Sequence, residues 1–526
     1  MFTKSNAILL LVLLSGCSQT TTNEHFIRPS VLSNYVEKFN AGDNELFETY
    51  IPNNQAFTFL AENIPRFECP DKQIEEIYYF RWWTFRKHIR QTPEGYIITE
   101  FLPDVPWAGK YNSISCAGMH HFNEGRWLRD SRYLHDYAYF WLRKGGSVRS
   151  YSFPVAYALY SQYLVSGNDS VVCELLPDLI ANFEAWEKER YDASRGLFWQ
   201  IDDRDGMEVS VCGSGYRATI NSYMAAEAKA IAAIAQLSGN PAARNFAEKS
   251  AQIQANMLKT LWDKEAGFFK VLPRKEEAIL CDARELHGYT PWCFNLADDA
   301  EYSRAWQYLM NPSHFFAPFG PTTAEQSHTG FKISYEGHEC QWNGPSWPYS
   351  TSVTLTGLAN LLYTQKQNYI LKEDYFKLFQ IYTQSHRLTR DDGTVVPWID
   401  ENINPFTGDW ISRTRLKTWQ NRTWSRSKGG VERGKDYNHS SYCDLIISGL
   451  IGIRPQEDGV LAVNPLIPDD EWDYFCLEDV MYHGKRITVM YDKTGSKYNK
   501  GKGLMIFVDG KQTATSQSLS LLKCKL

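Results

Sequence analysis

Residues 224–261 read M-A-A-E-A-K-A-I-A-A-I-A-Q-L-S-G-N-P-A-A-R-N-F-A-E-K-S-A-Q-I-Q-A-N-M-L-K-T-L. Met224, Ala228, Ile231 and Ala235 follow an i, i+4, i+7, i+11 spacing that lines one face of a helix. Ser238-Gly239-Asn240-Pro241 then stops that helix and starts another, with Asn240 suited to the N-cap and Pro241 to the first helical position. Phe246, Ile253, Met257 and Leu261 give the second helix its apolar side. Similar helical periodicity recurs at Phe153 to Val165, Val171 to Tyr191, Ala305 to Met310, Val353 to Tyr363 and Tyr375 to Leu388. Long loops rich in Trp, Gly, Pro and acidic residues separate the pairs. Helix, short turn, helix, long loop is the rhythm of a mainly α toroid of helical hairpins with its site at one mouth. A solenoid would need self-similarity at a fixed period, and none is visible.

Working outward, the texture changes after Arg454-Pro455. Arg486 to Tyr491 and Leu504 to Val508 are strand-like, and Asp509-Gly510 is a hairpin turn signal, so residues 456–526 read as a small β-domain. Residues 71–455 form the barrel, and 17–70, polar with scattered Asn and Pro, read as a tether into it. The first 16 residues are an address: Lys4, then the short apolar run Ile8 to Leu14, then Leu14-Ser15-Gly16-Cys17. That is the lipobox pattern of a bacterial lipoprotein signal peptide, with Cys17 the lipidated residue. It places the chain in the bacterial cell envelope, and Ser18 after the lipidated Cys favours the outer membrane. The membrane is then a partner through the lipid alone.

With 526 residues, 43% hydrophobic and 22% charged, the chain is too apolar for disorder and long enough for about three domains. A net charge of −6 excludes the basic balance of a nucleic-acid binder. Aromatics reach 14%, which fits either a large core or a carbohydrate site, where sugar rings stack on aromatic planes. Eleven cysteines at wide spacings without a C-x-x-C pair argue against zinc clusters and a dense disulfide scaffold, leaving room for one or two bridges.

Three loop segments carry candidate chemistry. Phe198 to Val211 packs Asp202, Asp203, Asp205 and Glu208 into seven positions. Crowded carboxylates repel, so one should keep its proton near neutrality, as a general acid requires. A solvated acidic turn or a calcium loop would use the same residue types. Trp398 to Trp410 sets Glu401 between two tryptophans, the second carboxylate that a two-carboxylate hydrolase needs. Glu339 to Pro348 brackets Gly344-Pro345 with Trp342 and Trp347, a platform for stacking or a pair of core anchors.

In this order the segments resemble the (α/α)6-barrel glycosidases of glycoside hydrolase family 63, the trehalases and the mannosylglycerate-hydrolase-like group. Glu401-Asn402-Ile403-Asn404-Pro405-Phe406-Thr407-Gly408 matches that group's E-N-x-N-P-x-T-G, whose Glu is the general base. Trp342-Asn343-Gly344-Pro345-Ser346-Trp347-Pro348 resembles W-R-G-P-x-W-P, with Asn343 in place of Arg, which leaves the sugar open. Asp205-Gly206-Met207-Glu208 resembles the general-acid motif S-G-x-D and puts Glu208 in the acid's place, with Asp205 the alternative. Trp127-Leu128-Arg129-Asp130-Ser131 resembles a W-D-S segment that holds the terminal sugar, which makes Asp130 a sugar ligand. The likeness covers about residues 75–455. Gly429 to His439 is a further polar, glycine-rich stretch in which Glu432, Asp436, Tyr437 and His439 are candidate ligands.

The resemblance implies an exo-acting, inverting glycoside hydrolase. Glu208 or Asp205 protonates the leaving oxygen, Glu401 activates water, and Asp130, Trp342, Asn343, Trp347, Tyr437 and His439 hold an oligosaccharide or polysaccharide. No organic cofactor is implied, though a structural calcium ion is compatible. Two other classes remain: a polysaccharide lyase on the same toroid, with Tyr437 or His439 as base, and an inactive glycan-binding lipoprotein.

Overall fold

The computed structural model describes residues 25–418, apart from 276 and 278, and residues 430–526. Cys17 with its leader, and Gly429, lie outside these. The hairpin read from sequence is present as Ala218–Leu237 and Ala242–Leu261. Pro241 occupies the N-cap rather than the first helical position, and Asn240 caps from one residue further out, its Oδ1 accepting the Ala242 N–H at 2.9 Å.

Six inner segments pack one against the next: Gly118–Gly125, Val155–Ser166, Ala218–Leu237, the short helical stretch 286–293, Pro348–Thr364, and a turn of π-helix at Leu445–Leu450. Hydrogen bonds close the ring. Glu124, at the end of the first segment, accepts the N–H groups of Tyr442, Cys443 (3.0 Å) and Asp444 (2.7 Å) at the start of the last. Arg126 pairs with Asp444 at 2.7 Å beside it. Between the inner segments lie the outer ones, Lys72–Phe85, Arg132–Arg143, Leu176–Arg190, Ala242–Leu261, Tyr302–Tyr308 and Lys372–Ser385. The chain is thus a mainly α toroid with a strand domain at its C-terminus. The helix expected at Ala305 to Met310 is instead a 3-10 helix, Tyr302–Tyr308, cut short by Asn311-Pro312.

The reading of 17–70 as a tether is corrected. Pro29–Ala41 and Asn53–Asn63 are helices that bury Leu32, Val36, Phe39, Phe59 and Leu60. The spacing Leu32, Val36, Phe39 is itself i, i+4, i+7, and scattered polar residues on the other face mask it. Arg66–Glu68 then pairs antiparallel with Tyr474–Tyr482, so the start of the fold forms an edge of the C-terminal sheet. That sheet continues through Lys485–Asp492, Gly503–Val508 and Lys511–Ser516. Asp509 and Gly510, at φ +49° and +79°, make the expected turn. A second sheet joins Ile453–Arg454, Val460–Val463 and Leu522–Lys525. No described helix is long and apolar enough to cross a membrane.

Glu124 alone satisfies three N–H groups across the closure. Replacing Glu124 with Ala leaves three buried N–H groups without acceptors, each costing about 1–3 kcal/mol. Denaturant unfolding should show a loss of about 3 kcal/mol or more for Glu124→Ala and a smaller loss for Glu124→Gln, which keeps one acceptor oxygen. Equal stability of the Ala variant and wild type would refute this role.

Candidate active site

The inner segments run in one direction, so their N-terminal ends, and the loops leading into them, gather at one mouth. The partial positive charge of helix N-termini gathers there too. Glu100 leads into Gly118–Gly125, Glu208 into Ala218–Leu237, Trp342 and Trp347 into Pro348–Thr364, and Tyr437 and His439 into the last segment.

Short turns aim these side chains. Asp202–Asp205 forms a 3-10 turn ended by Gly206 at φ +72°, where a Cβ would also meet Cys116 Sγ at 2.4 Å. Glu208 follows half-buried, and its carbonyl accepts the Trp342 N–H at 3.1 Å. Ser346 and Ile403 exchange both backbone bonds, at 3.0 and 2.9 Å. Two ladder contacts therefore join the three segments singled out in the sequence. A Cβ on Gly344 would stand 2.3 Å from the Lys332 carbonyl, so the turn between the tryptophans needs glycine. Cys212 and Cys281 form a disulfide that pins the acidic loop to the chain ahead of residues 286–293, and Glu285 accepts the Val211 N–H at 2.8 Å beside it.

Glu401 is 1% exposed and pairs with Arg433. Burial pushes its carboxyl up to about 7, against the pull of Arg433 and with the push of Asp400 and Glu339. Glu208 is pushed up to about 8, by burial first, then by the charges of Asp203, Glu401 and Asp202. A third carboxyl, Glu100, is buried in the same field and also rises to about 8, through burial and the nearness of Glu401 and Glu208. Beside these acids Trp342 and Trp347 stack at 4.5 Å and 12°. Tyr349 meets Trp342 edge-on at 5.9 Å, and His439 lies against Trp347, Tyr349 and Tyr437. Burial holds the His439 and His120 imidazoles well below the usual histidine range, so both are neutral. Glu100 Oε2, His120 Nε2, Trp342 Nε1 and Asn343 Oδ1 are buried with no hydrogen-bond partner. Buried polar groups are otherwise nearly always satisfied. A cluster of them beside stacked indoles suits a polyhydroxylated ring.

Of the residues expected to act, the structure brings Glu208, Glu401, Trp342, Asn343, Trp347, Tyr437 and His439 together. Two are corrected. Asp205 is fully engaged: Arg217 donates to Oδ2 at 2.7 Å, Thr219 also donates to Oδ2, and Ser152 donates to Oδ1 at 2.6 Å. Its side chain is fully buried, with both oxygens held by the scaffold. Asp130 pairs with Arg132 and donates its backbone N–H to Asn63, beyond the C-terminal end of Gly118–Gly125 and therefore at the opposite mouth. Among the other loop candidates, Glu432 pairs with Arg413 and Asp436 with Lys87. Glu100, His120 and Arg433 were not singled out in the sequence, where each is an isolated polar residue without a telling spacing. A cavity of about 700 Å³ at the opposite mouth, lined by Arg126, Tyr157, Phe294, Tyr363 and Arg454, contains none of these groups.

Residues 110–440 match the mannosylglycerate hydrolase MGH1-like glycoside hydrolase domain, and residues 453–514 the C-terminal domain of glycosyl hydrolase family 65. A solved structure named a sialidase shares 38% identity at a TM-score of 0.87 over 95% of this chain, which spans 45% of that protein's length. The family 63 mannosylglycerate hydrolase from Thermus thermophilus, solved with Tris, aligns over 71% of this chain and all of its own at 12% identity and a TM-score of 0.51. The family 78 rhamnosidase of Bacillus sp. GL1 aligns over 84% of this chain and 41% of its own at 12% and 0.54. The last two likenesses concern the fold alone.

Asp205 and Arg217 are both fully buried, and removing one partner of a buried pair costs about 3–5 kcal/mol. Asp205→Asn should lower the thermal midpoint by several degrees and depress natural and activated aryl glycosides alike. Selective loss on the natural linkage, with stability intact, would restore Asp205 as the acid.

Proposed function

The chain belongs to the mannosylglycerate hydrolase MGH1-like glycoside hydrolases, and we propose that it is exo-acting and inverting, with Glu208 as general acid and Glu401 as general base. One observation carries the reading: a buried and a half-buried carboxyl share an aromatic-walled site but differ in their company. Glu401 has a guanidinium, which favours its anion; the charges of Asp203, Glu401 and Asp202 act on Glu208 and favour its proton. Between about pH 7 and about pH 8 the first is mostly ionised and the second mostly protonated, the division that inversion needs. Glu208 then delivers a proton to the leaving oxygen while Glu401 takes one from the attacking water. A site whose floor is this deeply buried suits a chain end better than the middle of a polysaccharide, and the substrate class is an oligosaccharide or polysaccharide. The chemistry asks for no organic cofactor. Lyase action loses support, since Tyr437 already donates its hydroxyl proton to Glu100.

The division of roles has a kinetic signature. An aryl glycoside with an acidic phenol needs little protonation. Glu208→Gln should therefore lose activity on natural linkages while keeping much of its rate on the activated aryl substrate. Glu401→Gln should lose both. In wild type, kcat/KM should rise as Glu401 sheds its proton near 7 and fall as Glu208 sheds its own near 8. With the activated substrate, the alkaline limb should vanish in Glu208→Gln. NMR of the first product should show the inverted anomer. Collapse of both substrates in Glu208→Gln, or a retained anomer, would overturn the assignment.

The lipobox supports a second proposal, that Cys17 is acylated and anchors the enzyme in the cell envelope, in the outer membrane. Cys17→Ser should move the protein from the membrane to the soluble fraction, and wild type should incorporate a labelled fatty acid. A wild-type chain without acyl label would refute the anchor.

A further inference from the structure

We propose that Glu100 is a third functional carboxyl, which hydrogen-bonds a hydroxyl of the bound sugar. The inference rests on the hydrolase reading above and deepens it by naming a further residue that contacts the substrate.

Glu100 follows the strand Gly95–Ile98 and opens the loop into the first inner segment, at the same mouth as Glu208 and Glu401. Its place is fixed from both sides. The Glu100 carbonyl accepts the Asn438 N–H at 3.1 Å, the Asn438 side chain donates to the Thr99 carbonyl at 3.2 Å, and Tyr437 donates to Oε1. The other oxygen, Oε2, is buried without a partner in a residue only 5% exposed. Tyr437, which holds Oε1, lies 4.0 Å ring to ring from His439. Glu100 is thus a rigidly mounted carboxyl with one free oxygen, in a cluster of polar atoms that lack partners.

The charges acting on Glu100 are Glu401 and Glu208, both of its own sign. A dry carboxyl between two others keeps its proton at neutrality. It therefore offers an O–H donor and an acceptor, a match for a sugar hydroxyl.

The test begins with a panel of 4-nitrophenyl glycosides, from which the best neutral substrate of the full-length enzyme is chosen together with its monodeoxy analogues. Glu100→Ala should lower kcat/KM on the parent by about 10–100-fold, the usual cost of an unpaired buried polar contact. On the one analogue that lacks the contacted hydroxyl, the same substitution should cost less than about threefold. Glu100→Gln, whose amide can both donate and accept, should recover most of the loss. A loss of equal size on every analogue would reduce Glu100 to a brace for Tyr437 and overturn the proposal. Should Glu100→Ala fail to fold, Glu100→Asp, which withdraws the carboxyl by one methylene, takes its place: the same split between the parent and the one analogue is expected, and a loss of equal size on every analogue overturns the proposal. Failure of wild type on every glycoside would refute the hydrolase reading itself, a result distinct from active enzyme with uniform losses.

Discussion

Carboxyl groups kept away from water are the constraint around which this molecule is arranged. An ionised carboxylate cannot be buried without a cation, several donors or a proton, and the chain uses all three. Asp205 has Arg217 and two hydroxyls. Glu124 has three backbone N–H groups, and Glu227, deep in the Ala218–Leu237 helix, accepts the Tyr157 N–H at 2.9 Å across to the neighbouring inner segment. These three hold segments together. Glu401 has the cation Arg433, while Glu100 and Glu208, like Glu227, are pushed toward retaining a proton. What separates scaffold from chemistry is what each acid touches: Asp205, Glu124 and Glu227 bind neighbouring segments, and Glu100, Glu208 and Glu401 lie together at the mouth.

The toroid makes that separation practicable. With six inner segments pointing one way, the loops that carry the acids and the paired indoles all open at one end, and the helix N-termini supply a positive bias where acids gather. Backbone has to come very close for this to work. Gly434 packs so tightly on Asp400 that a Cβ would stand 1.9 Å from its Oδ1. Asp400 in turn accepts the Glu401 N–H at 2.9 Å and the Ser412 hydroxyl at 2.9 Å. The loop bearing Arg433 and the loop bearing Glu401 are therefore seated on the same side chain, which fixes the ion pair without help from either partner's rotamer.

Which parts could be read from the sequence follows from this geometry. Helices whose apolar faces repeat over three turns, such as Met224 to Ala235, are legible because the period is local. The E-N-x-N-P-x-T-G match at Glu401 is legible because the backbone turn and the base are neighbours in the chain. Asp130 misleads for the converse reason: a local match to a sugar-holding triplet says nothing about which end of a helix it follows, and here it follows the wrong one. Between Asp205 and Glu208, charge crowding could not choose; Arg217, 12 residues beyond Asp205, does. Glu100 and Arg433 were beyond reach, since a lone acid after an apolar strand and a lone base among glycines gain meaning only when folding sets both beside Glu401.

The function and the stability of this fold also pull against each other. A carboxyl whose folded pKa is raised stabilises the protein fully below its unfolded value, near 4.5, and that contribution fades as pH climbs through the folded value. For Glu100, Glu208 and Glu227 the folded value is about 8. The window in which Glu208 is a competent acid is thus the window in which its burial is being penalised, because one quantity, the disfavoured anion, sets both. Glu208 is half-buried, so solvent softens its share, whereas Glu100 and Glu227 are shielded more completely. An acid strong enough to be ionised at neutrality would sit more comfortably in this mouth and would have no proton to give. The strain of keeping carboxyls dry is therefore part of the catalyst, and Asp205, held by Arg217 and two hydroxyls, shows the other way in which this fold satisfies a buried acid.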